Sequence, residues 1–161
     1  MVLAAGGVRW WYDARVAKYE RQRLVTERLG GAGATALWTY VGPTQWNLGT
    51  SLDGPAFRRP THVYCDNVAT DAFAGVAGHF AEIEVSTLML LGRQIMPHAR
   101  TGTADPVIEA LRRHPTLRQV VVDASIRGTP AEFDAPIYTR EDLALLEELL
   151  PELEIVWVEA N

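Results

Sequence analysis

The chain has a single cysteine, Cys65, in 161 residues. One thiol cannot build an intrachain disulfide framework, and it leaves a cysteine-based zinc site without ligands. Lysine is almost missing too: Lys18 stands against fourteen arginines. The net charge of −5 gives no general case for nucleic-acid binding. Only three serines are present, Ser51, Ser86 and Ser125, and none lies in the G-x-S-x-G setting of a hydrolase nucleophile. The four histidines, His62, His79, His98 and His114, form no H-x-x-x-H pair. His62 and Cys65 are three apart on a predicted strand, so their side chains point to opposite faces and do not converge. Gly30-Gly31-Ala32-Gly33 lacks the Lys-Ser/Thr of a phosphate loop and follows a helix where a Rossmann motif needs a strand. The paired carboxylates, Glu82 with Glu84 and Glu147 with Glu148, fall on predicted solvated edges. No catalytic, cofactor or metal residue is therefore expected.

Long apolar runs are missing as well. Residues 1–8, MVLAAGGV, are apolar but far too short to span a bilayer, and they lack the charged start and cleavage site of a signal peptide. They would suit the end of a longer anchor. Residues 9–29 contain neither Gly nor Pro and are dense in helix formers, so a helix is expected, ended at Gly30-Gly31. Its apolar residues fall in two stripes, Tyr12, Val16 and Tyr19 beside Trp11, Val25 and Leu29. Residues 1–31 carry six basic groups against three acidic ones, whereas residues 132–161 carry nine acidic groups against Arg140 alone. The polarity is consistent with two solvated faces, or with a basic start lying near an anionic surface. Residues 32–60 read as an irregular connection punctuated by Pro43, Gly49, Gly54, Pro55 and Pro60, with a β-prone Thr35–Val41 stretch. Trp38, Trp46 and Phe57 are the residues expected to pin it to the body.

What is present is a repeat. Thr103–Asp123 aligns with Thr139–Glu159 at an offset of 36 without a gap. Thr103 meets Thr139, Val107 meets Leu143, Pro115 meets Pro151, Leu117 meets Leu153, Val120 meets Val156 and Val122 meets Val158. A looser copy from Thr70 places Phe73, Val76, Phe80, Ile83, Leu88 and Leu90 similarly. In each copy a Thr is placed to cap a helix, an acidic residue follows in its first turn, and an apolar arc is presented. In the two closer copies a Pro then breaks the helix and a Leu leads into a β-rich strand. This alternation predicts parallel strands near 61–65, 85–90, 118–123 and 154–159, with helices near 70–80, 103–114 and 139–150 on one face.

The strings ATDAFAGVAGHFAEI, PVIEALRRHPTLRQVVVD and TREDLALLEELLPELEIVWV, with ERQRLVTERLGG before them, resemble bacterial leucine-rich-repeat proteins. The resemblance covers about 100 residues well and implies an α/β array of about four parallel strands over residues 61–161, preceded by an N-terminal helix (1–31) and a connection (32–60). It implies a non-enzymatic protein-interaction or scaffolding module. Placing Val120, Val122, Val156 and Val158 under the helices sends Val121 and Trp157 to the other side, with Tyr64 and Met89. Those four are the candidate partner-binding residues, unless Trp38, Trp46 and Phe57 cover them. Two other readings stay open. One is a small enzyme with its site in the inserts 91–102 and 124–138, built from Arg93, His98, Arg100, Asp123, Arg127 and Asp134. The other is the soluble part of a membrane-anchored protein whose first helix lies beside the bilayer. As written the chain reads as cytoplasmic, and as membrane-anchored if an apolar segment lies upstream of Met1.

Overall fold

The structure, a computed structural model, describes residues 2–42, 54–124 and 139–158, with residues 2–6 as helix backbone. Its elements are α1 (Val2–Gly31), β1 (Thr35–Tyr40), a 3-10 turn (Pro55–Phe57), β2 (Arg58–Tyr64), α2 (Phe73–Ala77) and a second 3-10 turn (Phe80–Glu82). They continue as β3 (Thr87–Leu91), α3 (Gly92–Thr101), α4 (Pro106–Arg112), β4 (Gln119–Asp123), α5 (Arg140–Leu149) and β5 (Glu154–Val158). The five strands form one sheet in chain order, β1-β2-β3-β4-β5. β1 is antiparallel to β2, and every later pair is parallel. The α/β class and the four expected parallel strands are present. The sheet also gains a fifth strand, β1, from the stretch read as an irregular connection.

All the described helices contribute to one apolar layer. Val25 and Leu29 of α1, Phe73 and Val76 of α2, Ile95 and Met96 of α3, Ile108 and Leu111 of α4 and Leu146 of α5 join a single core with Val63, Leu88, Leu90, Val120 and Val122 of the sheet. In this layout Leu117 is fully buried, and Leu153 is half-buried at the edge of the core. The two stripes of α1 prove to be one face, because Gln22 lies between them and also points inward. Its amide donates to the Glu82 carbonyl at 3.0 Å and accepts from the Glu84 N–H at 2.7 Å. Two backbone groups next to the Phe80–Glu82 turn are thereby satisfied.

The helix starts follow the sequence only in part. Thr139 caps α5 as expected, and Asp142 reaches back to the Thr139 N–H at 2.9 Å. Thr103 caps nothing: α4 begins at Pro106, and its cap is Asp105, whose carboxylate accepts from Val107 N–H at 2.8 Å. Thr70 is likewise no cap, since α2 starts after Ala72 with no side-chain partner. The stretch 91–102, read as an insert, is largely α3. Gly92 and Pro97 disguised it, although Gly92, Ile95, Met96 and Ala99 are buried at helical spacing. α1 runs through Gly31, and the glycine that turns the chain is Gly33, at φ +95°. A Cβ on Gly33 would stand 2.5 Å from the Asn67 carbonyl, so this glycine lets the turn pass close against protein backbone.

The strand register carries a second correction. β4 and β5 pair Gln119 with Glu154, Val120 with Ile155 and Val122 with Trp157, an offset of 35. Paired residues of parallel neighbours share a face. Ile155 and Trp157 therefore lie with the buried Val120 and Val122 on the helix side, where both pack partly against the core. Val156 and Val158 lie on the other side, opposite to the expectation. A shift of one residue flips every side chain of the strand.

Candidate functional site

The sheet face turned away from the helices is laid out in rows by the register. Its central row is Tyr64, Met89, Val121 and Val156, side by side on β2 to β5, with Thr35 of β1 next to Tyr64. One pleat toward the strand N-termini lie His62, Thr87, Gln119 and Glu154, with Leu37 beside His62. One pleat the other way lie Leu91, Asp123 and Val158. Tyr64, Met89, Val121 and Val156 are all half-buried, and Leu37 and Val158 are exposed. The His62 and Tyr64 rings stack at 6.3 Å, and Gln119 donates to the Glu154 carboxylate at 3.0 Å. The result is a flat aromatic and aliphatic strip with polar residues along one side.

Three of the four candidate residues, Tyr64, Met89 and Val121, thus stand together. Trp157 does not: the register removes it to the helix side and puts Val156 in its place. The expected cover is also redistributed. Trp38 lies on the helix side of β1 against Tyr19 of α1, with ring centroids 5.1 Å apart. Phe57 is buried between Trp11 and Tyr40. Trp38 cannot meet Trp157, because β1 and β5 are opposite edges of the sheet. Trp46 lies outside the described residues.

The residues proposed for chemistry are separated by structural pairings. His98 Nδ1 lies 3.0 Å from the Asp105 carboxylate, whose other oxygen caps α4, and its ring packs on Phe73 at 5.9 Å. Arg100 instead donates to Asp142 of the α5 capping box at 3.0 Å. Burial pushes the Asp142 carboxyl up, but the Thr139 N–H and the Arg100 guanidinium outweigh it and hold it below its ordinary value. His98 and Arg100 therefore serve different helix starts, and Asp123 is on the other side of the sheet. Arg127 and Asp134 lie outside the described residues. Among the described residues no group of three His, Cys, Asp or Glu side chains could hold a metal. The Cys65 thiol is fully buried and pushed up to about 12 by burial first and by Asp66 second, which is the opposite of an activated nucleophile.

Besides Gln22, two buried polar side chains to which the sequence assigned no role, Gln94 and His114, are structural. Gln94 is discussed below. His114 is buried where α4 ends; its Nδ1 accepts from Leu117 N–H at 2.9 Å, and its Nε2 stands 2.8 Å from the Phe80 carbonyl. This pattern assigns the proton to Nε2 and requires a neutral ring. Burial lowers the His114 pKa, against hydrogen bonds to the Phe80 and Ile83 carbonyls that raise it. The stability due to the neutral ring is fully present above the unfolded value of about 6.5 and is lost as pH falls toward the lower folded value. His114→Asn retains an acceptor in place of Nδ1 but does not titrate. The stability gap between wild type and His114→Asn should be widest at alkaline pH and narrow on acidification, as read by urea melts across the pH range. A gap independent of pH would show that His114 is not buried neutral.

Compared with known protein families, curated proteins and solved structures, the chain matches none.

Proposed function

We propose that the chain is a non-enzymatic interaction module of leucine-rich-repeat type that binds a protein partner through the sheet face turned away from the described helices. The observation carrying this reading is the in-register row Tyr64, Met89, Val121 and Val156, apolar and only half-buried across four adjacent parallel strands. A contiguous strip of this kind is expensive to leave in water and is a usual mark of a protein-binding surface. The repeat reading is supported by the succession of helix-then-strand units, whose strands lie side by side in chain order. Each such unit buries its apolar face on its neighbours. Against catalysis stands the separation of His98 from Arg100 and the burial of Cys65. The role is thus recognition by shape and apolar contact, with His62, Gln119 and Glu154 supplying polar register at the rim.

The test is a charge placed in the row. Val121→Glu should leave the melting temperature within a few degrees of wild type, because the side chain faces away from the core. It should weaken partner binding by about 2 kcal/mol or more, roughly thirtyfold in Kd. A photo-crosslinking residue in place of Met89 should give a discrete protein adduct in the native host, suppressed by Val121→Glu. Adducts no different from those formed at the exposed helix position Glu147 would sink the proposal.

A further inference from the structure

Among the described residues the most exposed large hydrophobic side chains lie on α1. We propose that the first third of α1, Val2–Tyr12, docks the chain on an anionic lipid bilayer surface. From Val2 to Val8 the sequence has no charged side chain and no side chain that forms hydrogen bonds, so it encodes no polar face for a helix there. A protein groove requires only a stripe of apolar residues, whereas an all-round apolar surface suits hydrocarbon. Arg9, Trp10, Trp11 and Tyr12 follow at once, with Arg15 one turn on. Indole and phenol rings beside arginines are the side chains that settle at headgroup depth, with apolar bodies inward and polar tips in water.

From Gly7 to Tyr12 the fold leaves this segment exposed. Val8 is 67% and Trp10 74% exposed, the two largest exposures among the large hydrophobic residues described. Trp11 is the first α1 residue with a ring contact to the body among the described residues, 5.9 Å from Phe57. Arg15 fixes the same point, donating to the Ala56 carbonyl at 2.9 Å and lying 5.0 Å from the Trp11 ring centre. Roughly 14 Å of helix precedes that anchor. No described helix is long and apolar enough to cross a membrane, and the contact proposed is with the bilayer surface.

Charge gives the docked chain an orientation. α1 carries Arg9, Arg15, Lys18, Arg21, Arg23 and Arg28 against Asp13, Glu20 and Glu27, while the whole chain is at −5. α1 and β1 stand at one end of the sheet, and the acidic α5 and β5 at the other. An anionic surface therefore attracts the α1 end and repels the β5 end. This surface is independent of the sheet face, and either assignment can fail alone.

The test is flotation of the full chain with vesicles of phosphatidylcholine containing phosphatidylglycerol, in moderate salt. The wild type is expected to float. Val8→Ser combined with Trp10→Ser should lower the partition coefficient about tenfold, because binding scales with the apolar area inserted. Both sites are solvent-exposed, so circular dichroism and thermal melts should be unchanged by these substitutions. No flotation of the wild type, or equal flotation of the double variant, would overturn the proposal. So would a lipid-free dimer that the double variant abolishes while neither form floats, since the surface would then be a contact between copies.

Discussion

Gln94→Met is expected to destabilise the chain by about 2–6 kcal/mol, although the two side chains are nearly equal in volume. Gln94 is completely buried. Its amide nitrogen donates to the Cys65 carbonyl at 2.6 Å and to the Val68 carbonyl at 2.7 Å, and its oxygen accepts from Leu91 N–H at 2.8 Å. One side chain thus joins the end of β2, the turn after it and the junction of β3 with α3. Cys65 O would retain the Val68 N–H at 3.0 Å, but Val68 O and Leu91 N–H would lose a partner inside the core. Each orphaned group costs about 1–3 kcal/mol, a large fraction of the roughly 5–15 kcal/mol that holds an ordinary domain. Urea denaturation of the purified variant reads the effect directly. A loss below about 1 kcal/mol would mean that water or a shifted backbone replaces the amide.

Leu117→Ala should cost about 2–5 kcal/mol, and Leu153→Ala distinctly less. Leu117 is buried among the residues that join α4 to β4, and its N–H is already held by His114. Truncation there opens a cavity in a well-packed layer, which the neighbours cannot fill without moving. Leu153 holds the matching place before β5 but lies at the end of the array, where it is only half-buried. The ratio of the two effects measures how far the last unit departs from the one before it. Equal losses in urea melts would show that the two leucines are equivalent after all.

The sequence match placed both leucines correctly between helix and strand, yet it turned the strand that follows the second to the wrong face. The reason lies in the connections. From the end of α4 at Arg112 to Gln119 the chain passes His114, Pro115 and Thr116 before Leu117, with Thr116 bonded to the Val85 carbonyl at 3.0 Å. α5 continues to Leu149, and β5 opens at Glu154 after a shorter turn closed by Leu153 N–H on Leu150 O at 3.0 Å. The Pro-x-Leu step recurs at 36 residues while the sheet pairs at 35, and no composition or propensity distinguishes the two. Gln94 and Gln22 were missed for a related cause. A glutamine on a helix ordinarily reads as solvated, and only the proximity of foreign backbone groups makes it a core residue.

By itself the sequence determined the α/β alternation, the identity of the long first helix, the apolar arcs of α4 and α5, and the Thr139 cap. These are local properties, set by side-chain period and by bonds within a few residues, and they act before any distant contact forms. It also fixed the burial of Phe73, Phe80, Leu88, Leu117, Val120 and Val122, since period and hydropathy agreed there. The tertiary structure decided the rest. β1 entered the sheet because β2 offered an unpaired edge, which no β-prone segment can signal alone. α3 formed despite Gly92 and Pro97 because burying Ile95, Met96 and Ala99 outweighs weak propensity. Trp157 went under the helices and Val156 to the open row because the hydrogen-bond ladder with β4 sets the face of every β5 residue at once. That choice is made between strands rather than along one, so a single sequence does not contain it.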